Sequence, residues 1–159
     1  HVPQPTLFTY FITFLQHINT APKSALSSLF ITFFLRMLST LGYHPSLAYC
    51  VSCGKTIEQS LDTDGYALFS PERGGLICPS CARPTDYYIR FHRDPYMIMA
   101  ALQTASLGEA VAMPTGHADA LSLLEGLTKF LSYQTGVRSE LKSLQFLEKL
   151  RTSLQDSKT

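Results

Sequence analysis

At 159 residues, 45% of them hydrophobic, the chain is long enough to bury one core, and a formal net charge of +1 excludes a strongly basic nucleic-acid binder. Any hold on DNA that rests on counterion release is expected to be modest for this chain by itself, because few phosphates can be neutralised at once. The apolar run from Leu29 to Leu38 is interrupted by Thr32 and Arg36 and is too short to span a bilayer, so a soluble, intracellular protein without a secretory leader is expected.

In chain order, the first element is an amphipathic helix from Leu7 to Ile18, ended by Asn19 and the Ala21-Pro22 break. From Ser24 to Leu41, apolar residues recur at Leu26, Leu29, Phe30, Phe33, Phe34, Met37, Leu38 and Leu41, and Gly42 stops the run. This spacing predicts a largely buried helix whose aromatic stripe packs the core. A short strand pattern, Gly65-Tyr66-Ala67-Leu68-Phe69, follows an Asp64-Gly65 turn, and Leu76-Ile77 forms a second apolar pair. A third helix is expected near Asp94-Pro95, with Asp94 as cap and Pro95 in the first turn, carrying Met97, Ile98, Ala101 and Leu102 before Gly108. His117 to Gln134 places Ala120, Leu123, Leu124, Leu127, Phe130 and Leu131 on one face, with Gly136 as its stop. A last helix begins at Ser139 and runs through Leu144, Phe146, Leu147 and Leu150 to a polar tail, Gln155 to Thr159.

Four cysteines stand in two CxxC pairs, Cys50-Val51-Ser52-Cys53 and Cys78-Pro79-Ser80-Cys81, with 24 residues between them. Each pair brings two thiolates near one ion, and two such hooks complete the closed four-sulfur shell of a structural zinc site. Gly54 behind the first pair, Gly74-Gly75 before the second and Pro79 within it let the backbone bend toward the metal. One structural Zn2+ held by Cys50, Cys53, Cys78 and Cys81 is therefore expected. A thioredoxin-like redox centre would need one CxxC at the mouth of a helix after a buried strand, and neither pair has that setting. Two disulfides are the other use of four cysteines, and a reducing compartment argues against them. His44 and His92 lie near the hooks in sequence but are not counted as ligands.

The fold class that follows is mainly α, a helical domain of about five helices with an inserted four-cysteine β zinc ribbon. The expected division is 1–44 for the N-terminal helices, 45–85 for the ribbon, and 86–159 for the C-terminal helices of the same helical domain. No convergent set of acid, base and nucleophile appears, nor an HExxH or a phosphate-cradling glycine loop, so an enzyme and a small-molecule substrate are not expected.

The run Phe34-Leu35-Arg36-Met37-Leu38-Ser39-Thr40-Leu41-Gly42-Tyr43-His44-Pro45-Ser46-Leu47, then Cys50-Val51-Ser52-Cys53-Gly54, then Phe69-Ser70-Pro71 with Gly74-Gly75-Leu76-Ile77-Cys78, resembles the C-terminal region of the bacterial RecO recombination-mediator family. Leu141-Lys142-Ser143-Leu144-Gln145-Phe146-Leu147 resembles its close, and the matches fall in order from about Leu26 to Leu150. The resemblance implies a DNA repair and recombination mediator that binds single-stranded DNA and single-stranded DNA-binding protein, works with RecR, and loads RecA or anneals strands. It also implies a cytoplasmic, nucleoid-associated bacterial protein. Full-length members begin with an OB-fold, and nothing in this chain reads as its short alternating strands; opening on His1 rather than methionine, the chain is expected to be a domain fragment, a processed product or a tag remnant. With that fold absent, the principal platform for single strands lies elsewhere.

The DNA-binding candidates are Arg73, Arg83, Arg90 and Arg93 near the second hook, with Glu72 and Asp86 diluting their field, and Lys142, Lys149 and Arg151 on the last helix. Within the resemblance, Arg36 beside an apolar groove is the candidate for receiving the acidic, aromatic-ended C-terminal tail of single-stranded DNA-binding protein. The alternative is a zinc-ribbon protein–protein scaffold without mediator activity.

Overall fold

The structure, a computed structural model, describes residues 4–136, 148–153 and 155. Helix α1 (Gln4–Thr20) and helix α2 (Leu26–Thr40), joined through a 3-10 turn at Lys23–Ala25, open the chain. A three-stranded antiparallel sheet follows, built from β1 (Tyr66–Ser70), β2 (Gly75–Ile77) and β3 (Ile89–His92) in the order β2-β1-β3. Helices α3 (Arg93–Leu102), α4 (Leu107–Val111) and α5 (His117–Thr135) complete the body, and residues 148–153 are helical. The protein is thus mainly α with a small sheet, as its periodicity predicts.

Helix α2 is the hub, touching α1, α3, α4 and α5. A helix surrounded on most sides needs apolar or self-satisfied side chains all round, and α2 carries a single charge, Arg36. Its deepest face is not the aromatic stripe. Ser28, Leu29, Ile31, Thr32, Leu35 and Leu38 are buried, whereas Phe30 is 49% and Leu41 59% exposed. Small hydroxyl residues let the neighbouring segments approach closely: Thr32 Oγ1 donates to Ser28 O at 2.8 Å, and Ser28 Oγ donates to the Met113 carbonyl and lies 3.0 Å from Thr115 Oγ1. The displaced aromatics meet α1 instead, where Phe14 stacks on Phe33 with centroids 4.4 Å apart.

Two further expectations are corrected. Asp94 is not the cap of α3: β3 runs straight into the helix, His92 occupies the cap position, and Asp94 sits in the first turn beside Arg93, where a carboxylate still complements the helix dipole. Gly108 does not end that helix. The chain leaves helical geometry after Leu102 and restarts as α4 with Gly108 inside it, because Ser106 and Glu109 form a reciprocal capping box. At the far end Gly136 stops α5 in the left-handed conformation, φ 71°. The expected last helix lies outside the described residues from Ser139 to Leu147, Lys142 included.

The sheet docks on the helices through aromatic rings. Phe69 of β1 lies 6.1 Å from Phe91 of β3 and 6.4 Å from Phe130 of α5, Phe91 stacks near Tyr96 of α3, and the buried Tyr96 hydroxyl donates to Leu47 O at 3.0 Å. Gly126 of α5 leaves room for the Phe91 ring, whose nearest atom is 2.6 Å from where a Cβ would stand. One backbone crossing aligns the whole ribbon. Ser46 N–H donates to Gly74 O and Leu76 N–H donates to Ser46 O, at 2.9 and 2.8 Å, so the segment before the first hook lies directly over Gly75. Gly75 has φ 156°, and a Cβ there would stand 2.2 Å from the Ser46 carbonyl oxygen.

Gly75→Ala is accordingly expected to destabilise the fold by about 2–4 kcal/mol through strain and steric clash. Gly108→Ala, in ordinary helical space, should be neutral or stabilise by up to about 1 kcal/mol. Urea unfolding of the two variants measures the difference, and equal effects would remove the steric explanation.

Candidate metal centre

Both hooks are shaped by backbone turns that aim two sulfurs each at one point. In the first, Cys50 N–H donates to Lys55 O at 2.8 Å and Gly54 N–H to Cys50 O at 2.9 Å, with Gly54 at φ 77°. In the second, Cys81 N–H and Ala82 N–H both donate to Cys78 O, at 3.0 and 3.1 Å. The hooks are joined by Val51 N–H donating to Leu76 O at 2.8 Å and by Cys78 N–H donating to Cys50 Sγ at 3.3 Å. The four sulfurs of Cys50, Cys53, Cys78 and Cys81 all lie within 4.8 Å of one another, and Cys53 and Cys78 are 3.6 Å apart. All four are free thiols.

Cys50 and Cys78 are buried beneath Ile77 and Val51, while Cys53 is exposed and Cys81 half-buried. Burial would push the Cys50 thiol up, but N–H groups of Cys78, Cys53 and Ser52 point at its sulfur and hold it down at about 6. Cys81 goes the other way. Its contact with Cys78, its burial and the neighbouring Cys53 and Cys50 sulfurs push it up to about 12. Four cysteine sulfurs converging on one point are the donor set of a closed metal site, so these residues could hold one metal ion. Neither His44 nor His92 joins the cluster.

Three of the four arginines near the second hook are committed to protein partners. Arg90 lies 2.8 Å from Asp62 and 3.2 Å from Asp64, and its guanidinium sits 4.3 Å over the Tyr66 ring. Burial would raise the Asp62 carboxyl, but the Tyr66 N–H, Arg90 and the Asp64 N–H hold it below its usual range. Arg93 is paired with Glu58 at 2.5 Å and Asp94 at 2.8 Å. Arg73 donates to the Cys81 carbonyl at 2.9 Å and to Ser52 Oγ, and lies 3.6 Å from Asp86. Arg83 is exposed, with no side-chain partner among the described residues. Lys149 is exposed, and Arg151 lies 3.5 Å from Glu125 of α5. Arg36 sits 5.3 Å over the Tyr10 ring at the α1–α2 contact.

A second feature escaped the sequence reading. A cleft of about 770 Å³ opens between the start of α2 and the start of α5, with Leu26, Phe30, Ala120, Leu121 and Leu124 as its apolar floor and Lys23 and His117 at its rim. Arg36 does not line it. Its walls come from residues 23–30 and 114–124, some ninety residues apart, with Leu150 beside them, and the only local hint was Phe30, an aromatic facing away from the hub.

A helical body with a small sheet beside four convergent cysteines defines a helical domain with an inserted ribbon that could hold a metal ion. The chain matches the model of the family described as Recombination protein O C terminal over residues 1–145, and it belongs to that family. It is 29% identical over 137 residues to the DNA repair protein RecO of Symbiobacterium thermophilum, covering 86% of this chain and 52% of that protein. It is 29% identical over 126 residues to the DNA repair protein RecO of a Roseiflexus species, covering 77% and 41%. Against the DNA repair protein RecO of a Synechococcus species the identity is 35% over 80 residues, 50% of this chain and 25% of that one. The chain spans about half the length of the first of these relatives. None of its described helices is long and apolar enough to cross a membrane.

Metal binding at about pH 7.5 must expel the proton that Cys81 holds, since its thiol titrates at about 12, whereas Cys50, at about 6, is already ionised. Binding is therefore expected to release at least one proton per metal and to weaken about tenfold or more per unit of falling pH. A metal titration in weakly buffered solution with a pH indicator reads the release, and no release would contradict the thiol assignments.

Proposed function

We propose that the chain is the helical, metal-binding portion of a RecO-type mediator of DNA repair and homologous recombination, its four cysteines holding one structural Zn2+. The family match across residues 1–145 carries this reading, and the four-sulfur cluster supplies the donor set that zinc prefers. Zinc holds the two hooks together and carries out no reaction. The mediator brings partners together and breaks no bond: it binds single-stranded DNA and its coating protein, acts with RecR, and promotes RecA loading and strand annealing. Direct hold of this chain on single strands is weak, because Arg73, Arg90 and Arg93 would have to leave protein acceptors to meet phosphate, leaving Arg83 and Lys149 as the freer cations among the described residues.

The cleft between α2 and α5 supports a site for the acidic, aromatic-ended tail of single-stranded DNA-binding protein. Its floor suits one bulky ring, and its rim adds Lys23, His117 and the start of α5, whose cap residue Gly116 leaves the first N–H groups without a side-chain acceptor. A peptide carboxylate is what such a helix start and an ammonium attract. Asp119 stands in the first turn of the same helix but does not line the cleft.

Fluorescence anisotropy with a labelled peptide copying that tail is expected to show saturable binding that is lost when the terminal aromatic is removed and falls about tenfold or more in Lys23→Glu. Absence of binding by the folded, metal-loaded chain would overturn the tail site and favour a ribbon scaffold for other partners. Complete chelation is expected to lower the thermal unfolding midpoint, because metal-binding free energy in such a site is partly folding free energy. An unchanged midpoint would count against structural zinc.

A further inference from the structure

Arg73 was expected to face phosphates, and the geometry points to another use. It sits in the turn between β1 and β2, where its N–H donates to Ser70 Oγ at 3.1 Å and Gly74 N–H closes the turn on Ser70 O at 2.9 Å. From there one planar group reaches both hooks. Nη2 donates to the hydroxyl of Ser52, which lies between the two cysteines of the first hook, and Nη1 donates at 2.9 Å to the carbonyl of Cys81, the last cysteine of the second. Asp86 steadies the guanidinium at 3.6 Å and is itself fixed by the Tyr88 hydroxyl, which donates to it at 2.8 Å while accepting from Arg83 N–H at 2.7 Å. The Arg73 side chain is 21% exposed, well inside the ribbon for an arginine.

We propose that Arg73 is the positioning residue of the metal centre, a clamp that holds the two cysteine hooks at the spacing one ion requires and sets a fixed positive charge beside their thiolates. The inference rests on the zinc reading above. Four thiolates around a divalent ion leave a net charge of about −2 in a partly buried place, and a nearby guanidinium that never deprotonates offsets it. The hydrogen bonds to Ser52 and Cys81 act on the backbone that carries the ligands, the kind of outer contact that orients a metal's donors. Lysine could supply the charge but not the fork, since a single ammonium on a flexible stem cannot bridge acceptors on opposite hooks with fixed geometry. Reaching a phosphate would require Arg73 to release both hooks.

Zinc affinity and release rate are measured on the metal-loaded full chain by competition with a chromophoric chelator, with circular dichroism confirming the fold. Arg73→Gln is expected to weaken zinc binding about 10–100-fold and to speed release in proportion. Arg73→Lys should fall between it and the parent, Ser52→Ala should give a smaller loss in the same direction, and Arg83→Gln should match the parent. Parental affinity in Arg73→Gln, or an equal loss in Arg83→Gln, would overturn the clamp, as would lost binding of a single-stranded oligonucleotide with zinc affinity intact. If Arg73→Gln does not fold, Arg73→Lys and Ser52→Ala decide, and parental affinity in both overturns the proposal. A parent chain that takes up no zinc would instead bring down the metal reading itself.

Discussion

The passage of the Ser46 backbone over Gly75 is the constraint on which the rest of the ribbon depends. The two hooks belong to segments separated by a hairpin, and side-chain chemistry alone would not bring them into register. The paired hydrogen bonds between Ser46 and the Gly74–Leu76 stretch do so, and they demand a residue without a Cβ at the crossing. Once the crossing is made, Val51 falls opposite Leu76 and Cys50 opposite Cys78. The backbone crossing and the four converging sulfurs are thus parts of one arrangement, and a metal held there would add its binding free energy to that of the fold.

The ribbon's electrostatics follow from the same compactness. A near-neutral chain has few cations, and this one spends most of those near the hooks on its own carboxylates and carbonyls. Exposed pairs such as Arg93 with Glu58 add little to stability, about 0–1 kcal/mol. They do remove positive potential from the surface around the ribbon. The apolar cleft between α2 and α5 has Lys23 and His117 at its edge, and Lys23 has no acid partner among the described residues.

Much of this was legible in the residues, and the exceptions have physical reasons. The cysteine pairs, Gly136 and the apolar spacing of α5 are local signals, each complete within one segment. Burial within α2 was misjudged because spacing reveals a face but not how many neighbours surround it; Ile31 and Leu35 are deep because α3, α4 and α5 all reach this helix. The Ser106-x-x-Glu109 pair was a readable capping box that Gly108 obscured. Strand β3 alternates as a strand should, but it is four residues long and merges with a helix, so no turn sets off its far end. The partners of Arg73 and Arg90 and the two walls of the cleft come from distant segments, and no local pattern announces such meetings.

The absence of a linker between β3 and α3 gives the ribbon a mechanical role. His92 is both the last residue of the strand and the cap of the helix, so there is no joint at which one could turn without the other. Phe91, seated against Gly126 and beside Tyr96, acts as the pin of a crank. Strand β3 pairs with β1, and β1 with β2, which leads into the second hook, so the sheet joins the ribbon to α3 and, through the Phe91 ring in its notch, to α5 at mid-length. Anything that grips the ribbon therefore handles the helical body by its frame.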